Sequence, residues 1–158
     1  MDGCIACDLA EGRQPLPGGL IFRRGGWLVE HCVGPLGAGT LILKPARHVS
    51  AVADLTTSEA DDLGPLLRHT SWVARQLVEA EQVYNCLWSH AGGLPVHIHY
   101  VVQPVTRRQM AQYGSHGPNL QVAMFAAGQP PDAQEVEQMA NTARRLFAEF
   151  GNADHRAG

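Results

Sequence analysis

The chain is poor in charge. Only 17% of its 158 residues are Asp, Glu, Lys or Arg, and the net charge is −3. It therefore lacks the broad basic face that a DNA or RNA backbone requires, and no nucleic-acid polymer is expected as a partner. Aromatic residues are also scarce, at 6%. No apolar run reaches the roughly 20 residues that span a bilayer, so no membrane partner is expected. Met1-Asp2-Gly3-Cys4 carries no basic segment followed by an apolar stretch, the pattern of a secretory leader. The expected compartment is a reducing cytoplasm. There, Cys4, Cys7, Cys32 and Cys86 do not read as two disulfides, and the close pair Cys4-Ile5-Ala6-Cys7 reads as metal-binding or redox-active. Gly and Pro, by contrast, are abundant, with 17 and 10 copies, so turns should be frequent.

Short apolar runs split by Gly and Pro predict strands of an antiparallel sheet. They are Gly19–Arg23, Trp27–Val33 and Gly39–Lys44. Thr56-Thr57-Ser58-Glu59 fits a capping box, and Leu63, Leu66, Leu67, Thr70, Val73, Ala74, Leu77 and Val78 recur at helical spacing. A long helix is predicted over about 57–80. Val83–Ser89 and Val96–Pro104 read as two further strands joined by a loop, His90–Pro95. Residues 105–131 hold Gly114, Gly117, Pro118 and Pro130-Pro131. They read as irregular, with one strand at Leu120–Phe125. A C-terminal helix is predicted over 132–150. About five strands grouped around one long helix indicate an α+β fold with an antiparallel sheet, forming a single domain over 1–158.

The segment His97-Ile98-His99-Tyr100-Val101-Val102 is the most informative. Alternate residues of a strand share a face, so His97, His99 and Val101 point one way and Ile98, Tyr100 and Val102 the other. The spacing of Cys4 and Cys7 suits two thiolates on one tetrahedral zinc, and Lys44-Pro45-Ala46-Arg47-His48 ends the third strand with another imidazole.

Taken in order, these motifs resemble the histidine triad (HIT) superfamily of nucleotidyl hydrolases and transferases. Cys4-x-x-Cys7 followed by Asp8-Leu9-x-x-Gly12 resembles the N-terminal opening. Gly39-Thr40-Leu41-Ile42-Leu43-x-Pro45-x-Arg47-His48 resembles the strand that ends in P-x-R-H, and Ala91-Gly92 precedes His97-Ile98-His99-Tyr100-Val101. The resemblance covers about residues 3–104. The Ala91-Gly92 spacing makes His97 the first triad position, His99 the second and Val101 the third.

The resemblance implies a HIT-like domain that forms a homodimer, with a structural zinc on Cys4, Cys7, His48 and His97. It implies His99 as the nucleophile at a nucleotide phosphorus, through a covalent nucleotidyl-histidine intermediate. The chain departs from the pattern at Val101, at Gly93 and Leu94, and at Cys32, where an acidic or amide residue commonly holds the ribose. Ser89, His90 and Cys32 are the remaining candidates for contact with a small nucleotide or phosphometabolite. Two alternatives stay open: a zinc-stabilised binding module without turnover, and a phosphorylase using the same histidine.

Overall fold

The structure, a computed structural model, describes residues 3–91 and 94–154. Five strands form one antiparallel sheet in the order β1-β2-β3-β5-β4: β1 (Leu20–Arg24), β2 (Trp27–His31), β3 (Leu41–Pro45), β4 (Gln82–Ala91) and β5 (Leu94–Val105). The helices are α1 (Ile5–Ala10), α2 (Thr57–Leu77), α3 (Arg107–Tyr113), α4 (Gly117–Ala127) and α5 (Ala133–Asp154). The fold is α+β, as the strand and helix patterning predicts.

The period-2 alternation of the strands divides the core into two layers. Leu41, Leu43 and Val102 face one side, with Trp27 and Val29, and pack against Leu66, Val73 and Ala74 of α2 and Ala140, Ala143 and Phe147 of α5. Ile42, Val101 and Val105 face the other side and meet Leu120 and Met124 of α4, with Met110 and Tyr113 of α3 beside them. Because both faces are covered, every residue of β2 and β3 is buried.

α2 begins as its capping box dictates: Thr56 Oγ1 accepts from the Glu59 amide, and the Glu59 carboxylate accepts from the Thr56 amide at 2.8 Å. The same carboxylate accepts two bonds from the Arg47 guanidinium, at 2.9 and 2.7 Å. Arg47 holds the Glu59 carboxyl down at about 2, helped by the Thr56 hydrogen bonds. The arginine of the P-x-R-H segment thus clamps the β3–α2 connection onto the helix start. Trp27 Nε1 donates to the Glu59 carbonyl at 3.0 Å and fastens β2 to the same turn.

Two sequence expectations are corrected. The stretch 105–131 is not irregular, and Leu120–Phe125 is not a strand: α3 and α4 occupy it. Gly114 and Gly128, both left-handed at φ 58° and 60°, terminate these helices, and Pro118 sits in the first turn of α4. The expected loop His90–Pro95 is largely strand, since β4 runs to Ala91 and β5 starts at Leu94. Gly92 and Gly93, which figure in the sequence comparison above, lie outside the described residues. Among the described residues, no helix is long and apolar enough to cross a membrane.

Candidate functional site

Four side chains from three distant segments of the chain converge. α1 carries Cys7, with Cys4 at its N-cap. His48 follows β3, and the Ile98 amide donates to the Val49 carbonyl at 2.8 Å, which sets His48 beside His97 of β5. The ligand atoms of Cys4, Cys7, His48 and His97 all lie within 4.8 Å of one another. Cys7 Sγ is 3.4 Å from His48 Nδ1 and 3.5 Å from His97 Nδ1, and Cys4 Sγ is 4.0 Å from His97 Nδ1. Sulfur and nitrogen on one tetrahedral cation, at bond lengths near 2.3 and 2.0 Å, stand about 3.5 Å apart, so the donor set fits. The second nitrogen of His97 is committed: Nε2–H donates to the Pro45 carbonyl at 2.9 Å, which leaves the Nδ1 lone pair for a cation. Burial pushes His97 down to about 4, so its imidazole is neutral at pH 7. Burial and the neighbouring Cys4 push the Cys7 thiol up, so a cation bound there displaces protons.

His99 projects from the same face of β5, two residues on. Its Nδ1–H donates to the His97 carbonyl at 3.1 Å, which fixes the tautomer and leaves Nε2 with a free lone pair. Burial lowers its pKa, which also favours the neutral ring. His99 borders a cavity of about 180 Å³ roofed by Ile5, Ala6 and Leu9 of α1. Cys32, Ile42, Val101, Trp88 and Phe125 complete most of an apolar lining. The Trp88 ring lies 6.2 Å from that of His99 and 4.9 Å from that of Phe125.

No protein-family model and no curated protein matches the sequence. Solved structures do match over nearly the whole chain. One is a Zn-bound histidine triad family protein from Mycobacterium smegmatis, with 17% identity, 96% of this chain and 97% of that chain covered, and a TM-score of 0.67. Another is a hypothetical histidine triad nucleotide-binding protein from Sulfolobus tokodaii, with 12% identity, 92% and 93% coverage, and a TM-score of 0.68. The chain has the histidine triad fold. A third match, a uridylyltransferase, is 20% identical; it covers 92% of this chain but 45% of that one, with a TM-score of 0.63.

On the triad strand of this fold, His97 points into the cysteine–histidine cluster, while His99 and Val101 line the cavity. Cys32 also lines it, but its sulfur accepts from the Gly34 amide at 3.3 Å and burial pushes its thiol up to about 11. It is therefore a neutral thiol at physiological pH. Ser89 and His90 are not among the residues lining the cavity; His90 is exposed and pairs with Pro95 across the hairpin. His31 is structural. It is 1% exposed, donates from Nδ1 to the Cys32 carbonyl and accepts at Nε2 from the amide of Gly39, whose φ is 84°. Arg107 lies away from the cavity, paired with Glu81.

The residues that sequence reasoning missed are Glu30 and Lys44. Both line the cavity, with Lys44 Nζ 2.6 Å from Glu30 Oε1. One signal was available: Lys44 is the chain's single lysine and ends an otherwise apolar strand, Leu41-Ile42-Leu43. Its partner becomes visible only once the β2–β3 register is set, with Glu30 opposite Ile42 and Leu28 opposite Lys44.

Proposed function

We propose that the protein belongs to the histidine triad superfamily and acts at a nucleotide phosphorus, with His99 as nucleophile. The observation that carries this reading is the His99 imidazole: its Nδ1–H is spent on the His97 carbonyl, which leaves the Nε2 lone pair free, and the ring borders a largely apolar cavity. The nucleotide-binding description of the Sulfolobus tokodaii protein and the uridylyltransferase among the matches support a nucleotide as the ligand.

In the first half-reaction, His99 Nε2 attacks phosphorus. A P–N bond forms, the bond to the leaving group breaks, and that group departs with the electron pair and takes up a proton. The ring becomes cationic as it is phosphorylated, and the His97 carbonyl that accepts from Nδ1–H stabilises that charge. In the second half, water or another hydroxyl acceptor attacks phosphorus and loses its proton to solvent. The P–N bond breaks and neutral imidazole returns.

Cys4, Cys7, His48 and His97 would hold zinc, whose contribution is structural: four protein ligands leave no open position for a substrate. The M. smegmatis match is described as Zn-bound, which supports this metal. Through His97, the cluster positions the carbonyl that orients His99. A single domain, a homodimer and a cytoplasmic setting complete the reading. Within it Cys32 lines the ligand cavity, while Ser89 and His90 would reach a ligand only from the hairpin at its margin.

A non-catalytic binding module is the second reading, favoured by one observation. Among the described residues that line the cavity there is no Ser, Thr, Asn, Gln or Arg to stabilise charge developing on a phosphoryl oxygen, and the one lysine, Lys44, is paired with Glu30 and bonded to the Ala6 carbonyl. The deciding experiment incubates protein with nucleoside phosphoramidates, dinucleoside polyphosphates and sugar nucleotides, followed by mass spectrometry. A nucleotidyl adduct on wild-type protein that vanishes in His99→Ala supports the enzyme. Binding without turnover or adduct across the panel supports the module.

A further inference from the structure

The helix that carries Cys7 is weak by itself. α1 has six residues, and its N-cap, Cys4, makes no side-chain capping bond. An isolated helix shorter than about 12 residues is marginal in water, so α1 keeps its place only if the rest of the molecule holds it. Buried Cys7 and Leu9 supply apolar contact. Among the described residues, the hydrogen bonds of segment 4–14 stay within the segment, apart from the cysteine–histidine contacts and one other. In that one, Lys44 Nζ of β3 donates to the Ala6 carbonyl at 2.8 Å. The same ammonium donates to Glu30 Oε1 of β2 at 2.6 Å, and the two side chains are 1% and 4% exposed. The second carboxylate oxygen, Glu30 Oε2, is buried without a hydrogen-bond partner. A buried pair with an oxygen left unpaired is a poor source of stability, and apolar side chains of similar volume often do as well or better.

We propose that Lys44 is a positioning residue for α1, and through α1 for both the metal centre and the His99 cavity. This rests on the zinc site proposed above and extends it to a residue outside the ligand shell. Ala6 directly precedes Cys7. Its carbonyl belongs to the planar peptide that ends on the Cys7 Cα, so holding the carbonyl fixes the point from which the thiol projects. Glu30 in turn holds the ammonium, and both side chains stand on strands whose residues are all buried. The middle of the sheet thereby sets the place of one metal ligand. α1 also presents Ile5, Ala6 and Leu9 to the cavity that His99 borders. A displacement of α1 therefore loosens the metal shell and opens the cavity roof together. Groups that orient a metal ligand without touching the metal are typically worth 10–100-fold in its affinity.

The test compares wild type with the double variant Glu30→Leu, Lys44→Met. The variant replaces the pair by apolar groups of similar size and removes the donor to Ala6. Both full-length proteins are stripped of metal and titrated with Zn²⁺ against a chromophoric chelator. The variant should bind zinc about 10–100-fold more weakly. Its metal-free form should unfold at a urea midpoint no lower than that of metal-free wild type. Equal zinc affinity in the two proteins overturns the inference and leaves the zinc site standing. A loss of affinity matched by a lowered midpoint makes the pair merely structural and also overturns it. Absence of zinc binding by wild type overturns both the inference and the zinc site. Hydrogen exchange of metal-free wild type, read by mass spectrometry, needs no variant to fold. With Lys44 holding α1, the Asp8 and Glu11 amides, which donate to the Cys4 and Cys7 carbonyls, should stay protected after zinc is removed. Exchange there at the rate of an unstructured peptide would overturn the inference.

Discussion

The two faces of the sheet are built from the same five strands yet hold different kinds of residue. Under α2 and α5, the buried positions are Trp27, Val29, Leu41, Leu43, Val73 and Phe147, with Phe22 stacked on Phe147 at 4.5 Å. On the opposite face and at its margin are two thiols, two imidazoles, His99 and a buried ion pair. Burying apolar groups stabilises in proportion to area, whereas burying polar ones stabilises only when each is satisfied. The first face therefore supplies stability, together with the apolar cluster of Ile42, Val101, Val105, Leu120 and Met124 on the second. The second retains groups whose burial is unfavourable unless a metal, a ligand or a protein partner completes them.

Four measurements test this division, beginning with the largest effect. Replacing His99 with Ala should cut turnover by about 10³-fold or more while leaving the melting temperature and metal content close to wild type. A stability loss as large as the activity loss would place His99 among the structural groups. On the apolar face, Phe147→Ala should cost about 3–5 kcal/mol in denaturant unfolding, with the metal content of the surviving fold unchanged. Chelation, or Cys7→Ser, should cost about 3–4 kcal/mol, as mass action gives for a ligand present at 100 to 1,000 times its Kd. That corresponds to a melting temperature lower by about 6–16 °C, read by calorimetry before and after zinc is restored. The smallest effect lies at the start of α2. The Glu59 carboxyl is depressed from 4.5 to about 2 by Arg47, so its contribution is fully present above pH 4.5 and is lost as the pH falls toward 2. The urea midpoints of wild type and Glu59→Gln should differ at pH 6 and converge near pH 2.

The apolar face was the more legible of the two in the sequence. Its strands alternate, Gly and Pro separate them, and the Thr56–Glu59 box marks where α2 starts. The covering of the other face was not legible. Leu120-Gln121-Val122-Ala123-Met124-Phe125 is a short, mostly apolar run of strand length, yet in α4 only Leu120, Gln121 and Met124 are buried, while Val122 and Phe125 are 67% and 41% exposed. Gly114, Pro118 and Gly128 read as loop residues because the same residues that break helices also cap them. The metal-cluster residues were legible through their spacing and their likeness to a family. Glu30 and Lys44 were not, because a contact between two strands depends on register, which no local pattern reveals.

The cysteine–histidine cluster also bears on the order of folding. Cys4 and His97 are 93 positions apart, and His48 reaches the site only after β3 and β5 have come together. A complete four-ligand shell therefore cannot exist before most of the sheet does, since the chain must first meet the entropy of closing that long loop. A cation held by all four residues arrives late and contributes little to the folding transition state. It slows the escape from the native state instead, so its removal should appear mainly as faster unfolding at a nearly constant folding rate.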